Sequence, residues 1–316
     1  NTSKKQPSWV SNSQAAYPSS RYLSAVGSGK STSEAENAAI AAIARIIKQN
    51  VASTLVTTEK DSVSSSGASN YQSTIDEIIE THSVVDALVG VKIGEFWWDT
   101  KDNVFAVAYV EKQEATQYYS KKISDNEAVI VEKMALAKKN EGDFSSFTLV
   151  LQALNLAEEV DQYLDILHAM DTNAARNKIL QYGSSIAVKE FSYTVAQKIS
   201  VDISVDGDTD GRVGFALATM LAKYGFKTKI GLSNSAYLLD SAMSLVDVPA
   251  ERNYYVRFIF SANLMEKRSG KNVLPFSINK REGHINAEGA KERAIQSLVK
   301  TIETEYASFF IDFLQE

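Results

Sequence analysis

Two runs in this sequence carry the residue types of an ion or phosphate site. Gly27-Ser28-Gly29-Lys30-Ser31 places a lysine and a hydroxyl after two glycines, between an apolar stretch and a helical pattern. A phosphate-cradling loop needs Gly-x-x-x-x-Gly-Lys-Ser/Thr, because its first glycine lets the backbone curl and aim N–H groups at the phosphates. Counting back from Gly29, that position is Ser24, inside the apolar stretch. A Mg²⁺-binding Asp closing a buried strand is not evident either. The run therefore reads as a glycine turn and helix cap with Lys30 on the surface, and no nucleotide or other cofactor is assigned. Asp206-Gly207-Asp208-Thr209-Asp210-Gly211 has the opening of a calcium loop, with alternating acids and then glycine. The bidentate Glu of such a loop would fall at Leu217. No metal site is assigned; Asp206, Asp208 and Asp210 stand as candidates for a hard cation, against a strand-to-helix turn whose acids cap the helix that follows.

No catalytic residue is named. His82, His168 and His284 are isolated, without the i, i+4 spacing of a helical zinc pair. His284, in Arg281-Glu282-Gly283-His284, reads as a turn or cap residue before a helix rather than a base. No Gly-x-Ser-x-Gly elbow occurs. Trp97 and Trp98 are adjacent, so on a strand they point to opposite faces. One belongs to the core; the other, where exposed, is a contact for a partner, glycan or lipid interface, against the alternative that both are buried beneath the helical hairpin. Tyr118-Tyr119 and Tyr254-Tyr255 pose the same question.

The elements around these residues are legible from periodicity. Tyr22 to Val26 is a short apolar strand, ended by Gly27 and Gly29. Ser33 with Glu36 makes a capping box, and Ser31 with Glu34 an alternative register. Ile40, Ile43, Ala44, Ile47 and Val51 follow at helical spacing, with Ala38, Ala41 and Ala42 on a face where another element can pack closely. Residues 61–70 read as a mobile Ser/Gly-rich loop. Val89 to Trp98 and Val104 to Val110 are strands around a polar turn, giving an antiparallel sheet with one face covered by the helix. Residues 114–196 carry long helical periods, such as Phe147, Val150, Leu151, Leu154, Ala157, Val160, Leu164 and Leu167, broken at residues 140–143 and 171–173. They form a helical hairpin or small bundle. Alternation returns at Ile199 to Val205 and at Tyr254 to Leu264. Arg212 to Tyr224 is an amphipathic helix with Gly225 past its end. Lys267 to Asn272 turns into a strand from Val273 to Ile278. Ala290, Ala294, Ile295, Leu298, Ile302, Tyr306, Phe309 and Phe313 share one face of a closing helix. The fold class is α+β: two small sheet-plus-helix modules, 1–113 and 197–316, joined by the helical connector 114–196.

Composition narrows the functions further. The chain has 316 residues, 44% hydrophobic and 23% charged, ordinary for a globular protein with a sizeable core. A net charge of -6 without a dense basic block argues against nucleic acid. The absence of cysteine excludes disulfides, thiol catalysis and zinc–thiolate sites within this sequence. No apolar run approaches a membrane span of roughly 18 residues. The chain opens at Asn1 without Met, signal peptide or lipobox, as a mature or trimmed chain would, and its polar first seven residues read as a tether.

Three pieces in order, Pro7-Ser8-Trp9-Val10, Tyr22 to Gly29 with the Ala-rich helix Ala35 to Gln49, and Val91 to Asp99 followed by Val104 to Val110, resemble the LPP-20 family of bacterial outer-membrane lipoproteins. The resemblance covers about a third of the chain, and the module is similar to the first domain of a flagellar periplasmic protein. Residues Asp210 to Phe226 and Arg281 to His284 are similar, more loosely, to small α/β domains of envelope assembly proteins such as the amino-terminal domain of the Tol translocation protein. These resemblances imply an exported lipoprotein with a structural or assembly role and no catalytic residues. It would be anchored in the outer membrane, periplasmic or surface-exposed, by a lipidated cysteine just upstream of Asn1. Its partners would be other envelope proteins. Two further readings stay open: an envelope protein taking lipid or glycan between its modules, and a hydrolase whose convergent acids and histidines the sequence does not reveal.

Overall fold

The computed structural model describes residues 5–55, 71, 73–76, 88–99 and 101–315. The loop expected at 61–70 and His82 lie outside the described residues. The chain divides into two units: 1–63 with 80–132 and 154–187, and 64–79 with 133–153 and 188–316.

In the first unit, strands β1 (Tyr22–Gly29), β2 (Lys92–Trp98) and β3 (Val104–Glu111) form an antiparallel sheet in the order β1-β3-β2. Val107, Ala108 and Val110 of the central strand are buried, as a strand covered on both sides requires. Helix α2 (Thr32–Leu55) covers one face, with Ala35 packed among Phe96, Val104 and Ala106. The alanines that allow this approach are Ala35 and Ala39, both fully buried, whereas Ala41, on the face expected to pack closely, is exposed. The other face is also covered. The segment that begins with the helical turn α1 (Ser8–Ser11) crosses it: Trp9 is buried and donates from Nε1 to Glu95 at 3.3 Å. Ser13 Oγ donates to the Ser24 carbonyl, and Tyr17 stacks on Tyr109 at 4.5 Å. Gly94 permits that stack, since a Cβ there would lie 2.1 Å from the Tyr17 hydroxyl.

Helices α3 (Lys112–Lys139) and α4 (Phe144–Met170) are the long helices expected from the periodicity, and Gly142, at φ 95°, lies in the break between them. Asp171 caps the short α5 (Thr172–Arg176) by accepting the N–H groups of Asn173 and Ala174, and α6 (Ser185–Ala196) follows. Within the first unit, Tyr119 is buried against Tyr163 with ring centroids 5.6 Å apart, and its hydroxyl accepts the Val89 N–H. Asn126 donates to Glu159 across the helix pair.

In the second unit, β4 (Ser200–Asp206), β5 (Lys227–Ile230), β6 (Tyr237–Val248), β7 (Tyr254–Glu266) and β8 (Lys271–His284) form a mixed sheet in the order β5-β4-β6-β7-β8. Helix α7 (Arg212–Lys223) is the crossover that lets β4 and β5 run parallel. Strand β4 is also parallel to β6, and the remaining pairs are antiparallel. One face buries Ile203, Leu239, Phe258, Phe260 and Leu264; the side chains that alternate with them along β7 stay exposed or half-buried. Strand β8 is a sheet edge, and Pro275, Lys271 and Arg281 on it deter pairing with another chain.

The closing helix differs from its expected register. It runs as α8 (Ala287–Thr301), a π-helical turn (Ile302–Tyr306) and α9 (Ala307–Gln315). Seven of its buried residues, Ala290, Ala294, Leu298, Ile302, Tyr306, Phe310 and Leu314, follow each four after the last, and Thr301 and Ala307 flank that line. A continuous α-helix would let that series drift around the cylinder, and the wider π turn restores its phase. Phe310 and Leu314 therefore face inward, where Phe309 and Phe313 were expected; Phe309 is exposed.

Candidate functional site

The glycine run is a packing joint. Gly27 and Gly29 are extended members of β1, paired with Ala106 and Val104. A Cβ at Gly27 would lie 2.1 Å from the Ala39 nitrogen, and one at Gly29 would lie 2.3 Å from the Glu34 Cβ. The glycines thus let the helix rest directly on the strand, and the backbone does not curl around an anion. Lys30 Nζ donates to Asn103 Oδ1 at 2.6 Å. Of the two capping registers, the chain uses Ser31 with Glu34: Ser31 Oγ accepts the Glu34 N–H at 3.2 Å, and the Glu34 carboxylate accepts the Lys30 N–H at 2.8 Å. Ser33 and Glu36 already lie inside the helix, which starts at Thr32.

The Asp206–Gly211 turn joins β4 to α7. Asp208 Oδ2 accepts the Gly214 N–H at 2.8 Å, which satisfies a donor of the first helical turn. Asp210 accepts from the neighbouring Thr209 hydroxyl, and Asp206 is exposed at the end of its strand. Arg212 pairs with Glu292 at 2.8 Å. The turn does not bring Asp206, Asp208 and Asp210 onto one point. Among the described residues, no three His, Asp or Glu side chains are grouped as ligands for a metal ion.

Trp97 is half-buried against Phe105, with centroids 5.4 Å apart, and Trp98 is 56% exposed. Neither is a core residue. The core role on that strand falls to Phe96, which packs beneath α2. Tyr119 is buried beside Tyr118, which is exposed; Tyr254 is exposed and Tyr255 half-buried. His284 Nδ1 accepts the Asn286 N–H at 3.4 Å where β8 turns into α8.

Sequence reasoning missed two polar clusters. Asp202 is fully buried on β4 and binds Lys267 Nζ at 2.5 Å and Ser233 Oγ at 2.6 Å. Burial alone would push its carboxyl up, but the bonds from Lys267 and Ser233 outweigh burial and hold it well below the usual carboxylate range. Lys267 Nζ also donates to the Ser233 carbonyl at 2.9 Å, so this cluster ties the β5–β6 loop to the β7–β8 turn. The second cluster lies in the first unit, where Asp161, Asp165 and His168 follow at i, i+4 and i+7 along one face of α4. Burial pushes both carboxyls up, Asp165 to about 6 with the further help of Asp161. Ser185 Oγ donates to Asp161 at 2.5 Å. Both ring nitrogens of His168 and the Tyr182 hydroxyl are shielded and lack hydrogen bonds. A carboxyl at about 6 can exchange a proton near neutrality. The Ser185 hydroxyl is bonded to an acid and not to His168, so these three described residues do not line up as nucleophile, base and orienter. The i, i+4, i+7 spacing could have drawn notice to this face, but the partner of Asp161, Ser185, is supplied 24 residues on.

No described helix is long and apolar enough to cross a membrane. No curated protein matches the sequence. Among solved structures, the secreted protein HP1454 from Helicobacter pylori is 14% identical, the match covering 93% of this chain and 98% of that one at a TM-score of 0.48. A minor lipoprotein from Acinetobacter baumannii is 15% identical over 37% of this chain and 94% of that one, at a TM-score of 0.28. Lipoprotein GNA1162 from Neisseria meningitidis is 14% identical over 34% of this chain and 98% of that one, at a TM-score of 0.26. The family model described as LPP20 lipoprotein matches residues 7–111, the span that holds the three-stranded sheet, α2 and the segment crossing the sheet's second face. Residues 7–111 are thus similar to the LPP20 lipoprotein family.

Proposed function

We propose that this protein is a non-catalytic lipoprotein of the bacterial envelope, anchored in the outer membrane through a lipidated amino terminus and acting in structure or assembly through contacts with other envelope proteins. The LPP20 match over residues 7–111 carries this reading. Supporting it, the residues that most resemble a nucleotide site are committed to packing: the glycines seat a helix and Lys30 binds Asn103. Trp98, exposed at the end of β2, offers a large amphipathic surface of the kind that anchors protein contacts.

The decisive experiment expresses the full gene product in a Gram-negative host with a clickable palmitate analogue and fractionates the membranes. The expected outcome is lipid label on a protein that sediments with the outer membrane. An unlabelled protein in the cytosol would overturn the reading. A photo-crosslinking residue at Trp98 then tests the mode of action. Crosslinks to envelope proteins are expected; crosslinks confined to lipid or glycan would transfer the assignment to a ligand-binding role.

A further inference from the structure

We propose that Arg257 and Arg281 form a phosphate-binding pair on the uncovered face of the five-stranded sheet. This site lies outside the LPP20 match and does not depend on the function proposed above. The β7–β8 register places Arg257 directly opposite Arg281. Both are exposed, and both alternate along their strands with residues of the opposite, covered face, such as Val256 and Phe258. Directly opposed side chains of an antiparallel pair leave backbones about 5 Å apart, and like charges set there are destabilising. Arg21, Arg212 and Arg268 each meet a carboxylate; Arg257 and Arg281 make no ion pair among the described residues. The acid of the same face on the neighbouring strand, Asp240, pairs with Asn263, six residues along β7 from Arg257 and so about 20 Å away. The sheet thus sets two cationic side chains at opposed positions and, among the described residues, places no ion-paired anion between them.

The pair is also pre-set. The Arg281 guanidinium lies over the Tyr255 ring, 4.7 Å from its centroid. That ring leans across β8 onto Gly283, where a Cβ would lie 2.6 Å from Tyr255 Cε1. Any larger residue at 283 would lift the ring and release the arginine. A stacked guanidinium loses less freedom on binding than a mobile one. The geometry selects among anions as well. One guanidinium fork satisfies both oxygens of a carboxylate, whereas two adjacent forks call for the three or four acceptor oxygens of a phosphate. The phosphate can be free or part of a lipid headgroup.

The test uses the full chain with ¹⁵N-labelled arginine. Inorganic phosphate is titrated at constant ionic strength against chloride, while the arginine Nε–Hε signals are followed. Saturable shifts at Arg257 and Arg281 are expected, and Arg257→Gln or Arg281→Gln should each weaken binding about tenfold or more. Arg257→Gln, which removes a like-charge contact and no ring stack, should melt no lower than the parent protein in chloride; this separates lost binding from lost folding. Shifts that do not saturate, that appear equally at Arg252 and Arg293, or that persist unchanged in both variants would overturn the proposal. Vesicles of phosphatidylglycerol and of phosphatidylcholine identify the source. Binding to the former that both variants lose assigns a lipid headgroup, and a phosphate response without vesicle binding assigns the free ion.

Discussion

Gly27 and Lys30 stand three residues apart and carry opposite burdens. Gly27 has no room for a methyl group, because main-chain atoms of α2 occupy the space. Gly27→Ala should therefore cost about 3 kcal/mol or more, at the upper end of overpacking. Lys30→Ala, which gives up one exposed hydrogen bond, should stay within about 0.5 kcal/mol. Urea denaturation of the two variants decides the matter, and a larger loss at Lys30 would contradict the packing role. Asp165 makes a second prediction at this scale. Its folded-state pKa of about 6 lies above the ordinary 3.8, so protonation favours the folded state. Its contribution is full below about pH 4 and is lost as pH rises through 6. Asp165→Asn should then stabilise the protein at about pH 7.5 by on the order of 1 kcal/mol, discounted for the solvent that reaches the side chain, and should do nothing near pH 4. An equal gain at both pH values would show that burial is not the cause. The sequence made Lys30 visible as a surface residue, but it could not show Asp165 as half-buried, because that depends on side chains from elsewhere in the chain.

Among the elements, those with strong alternation were legible. Val256, Phe258, Phe260, Ala262 and Leu264 are all buried on β7, as their spacing predicts. Strand β6 was not read. Its inward positions include Ser241 and its outward positions include Leu238 and Val246, which blurs the period. Strand β5, only four residues long and mostly exposed, offers no apolar run at all. The β5–β6 loop was equally hidden, since it is fixed by Asp202 and Lys267, which approach from separate strands and turns. Lys267→Met leaves the Asp202 carboxylate buried without its cation and should cost about 3 kcal/mol. Asp202→Leu combined with Lys267→Met should recover most of that loss, because no charge is then stranded. Guanidinium melts of the single and double variants check this, and a double variant as weak as the single would refute it. The same pair predicts acid sensitivity. The folded-state pKa of Asp202 is depressed, so its stabilisation is present above the ordinary carboxylate range and is lost as pH falls below it.

For the whole molecule, the two units share their longest helices. Residues of α3 and α4 fall in both, with α4 changing unit between Ala153 and Leu154. Ala153 is fully buried, and Ala153→Pro would interrupt the hydrogen-bond ladder at this junction at a cost of about 3 kcal/mol. The loss should register in both units, as faster amide exchange around Trp9 in one and around Tyr306 in the other; exchange altered in one alone would mean that the units fold independently. The closing helix meets a different constraint. Its buried series keeps a step of four through the π turn at Ile302–Tyr306, and Phe310 and Leu314 face the core on account of the residue that turn absorbs. Deleting one residue from the turn would let it close as ordinary α-helix with Phe310 and Leu314 still inward, whereas adding one would rotate everything beyond it by about 100°. This stretch therefore has a one-sided tolerance of length: a frame-preserving loss of a single codon is absorbed there, but a gain is not.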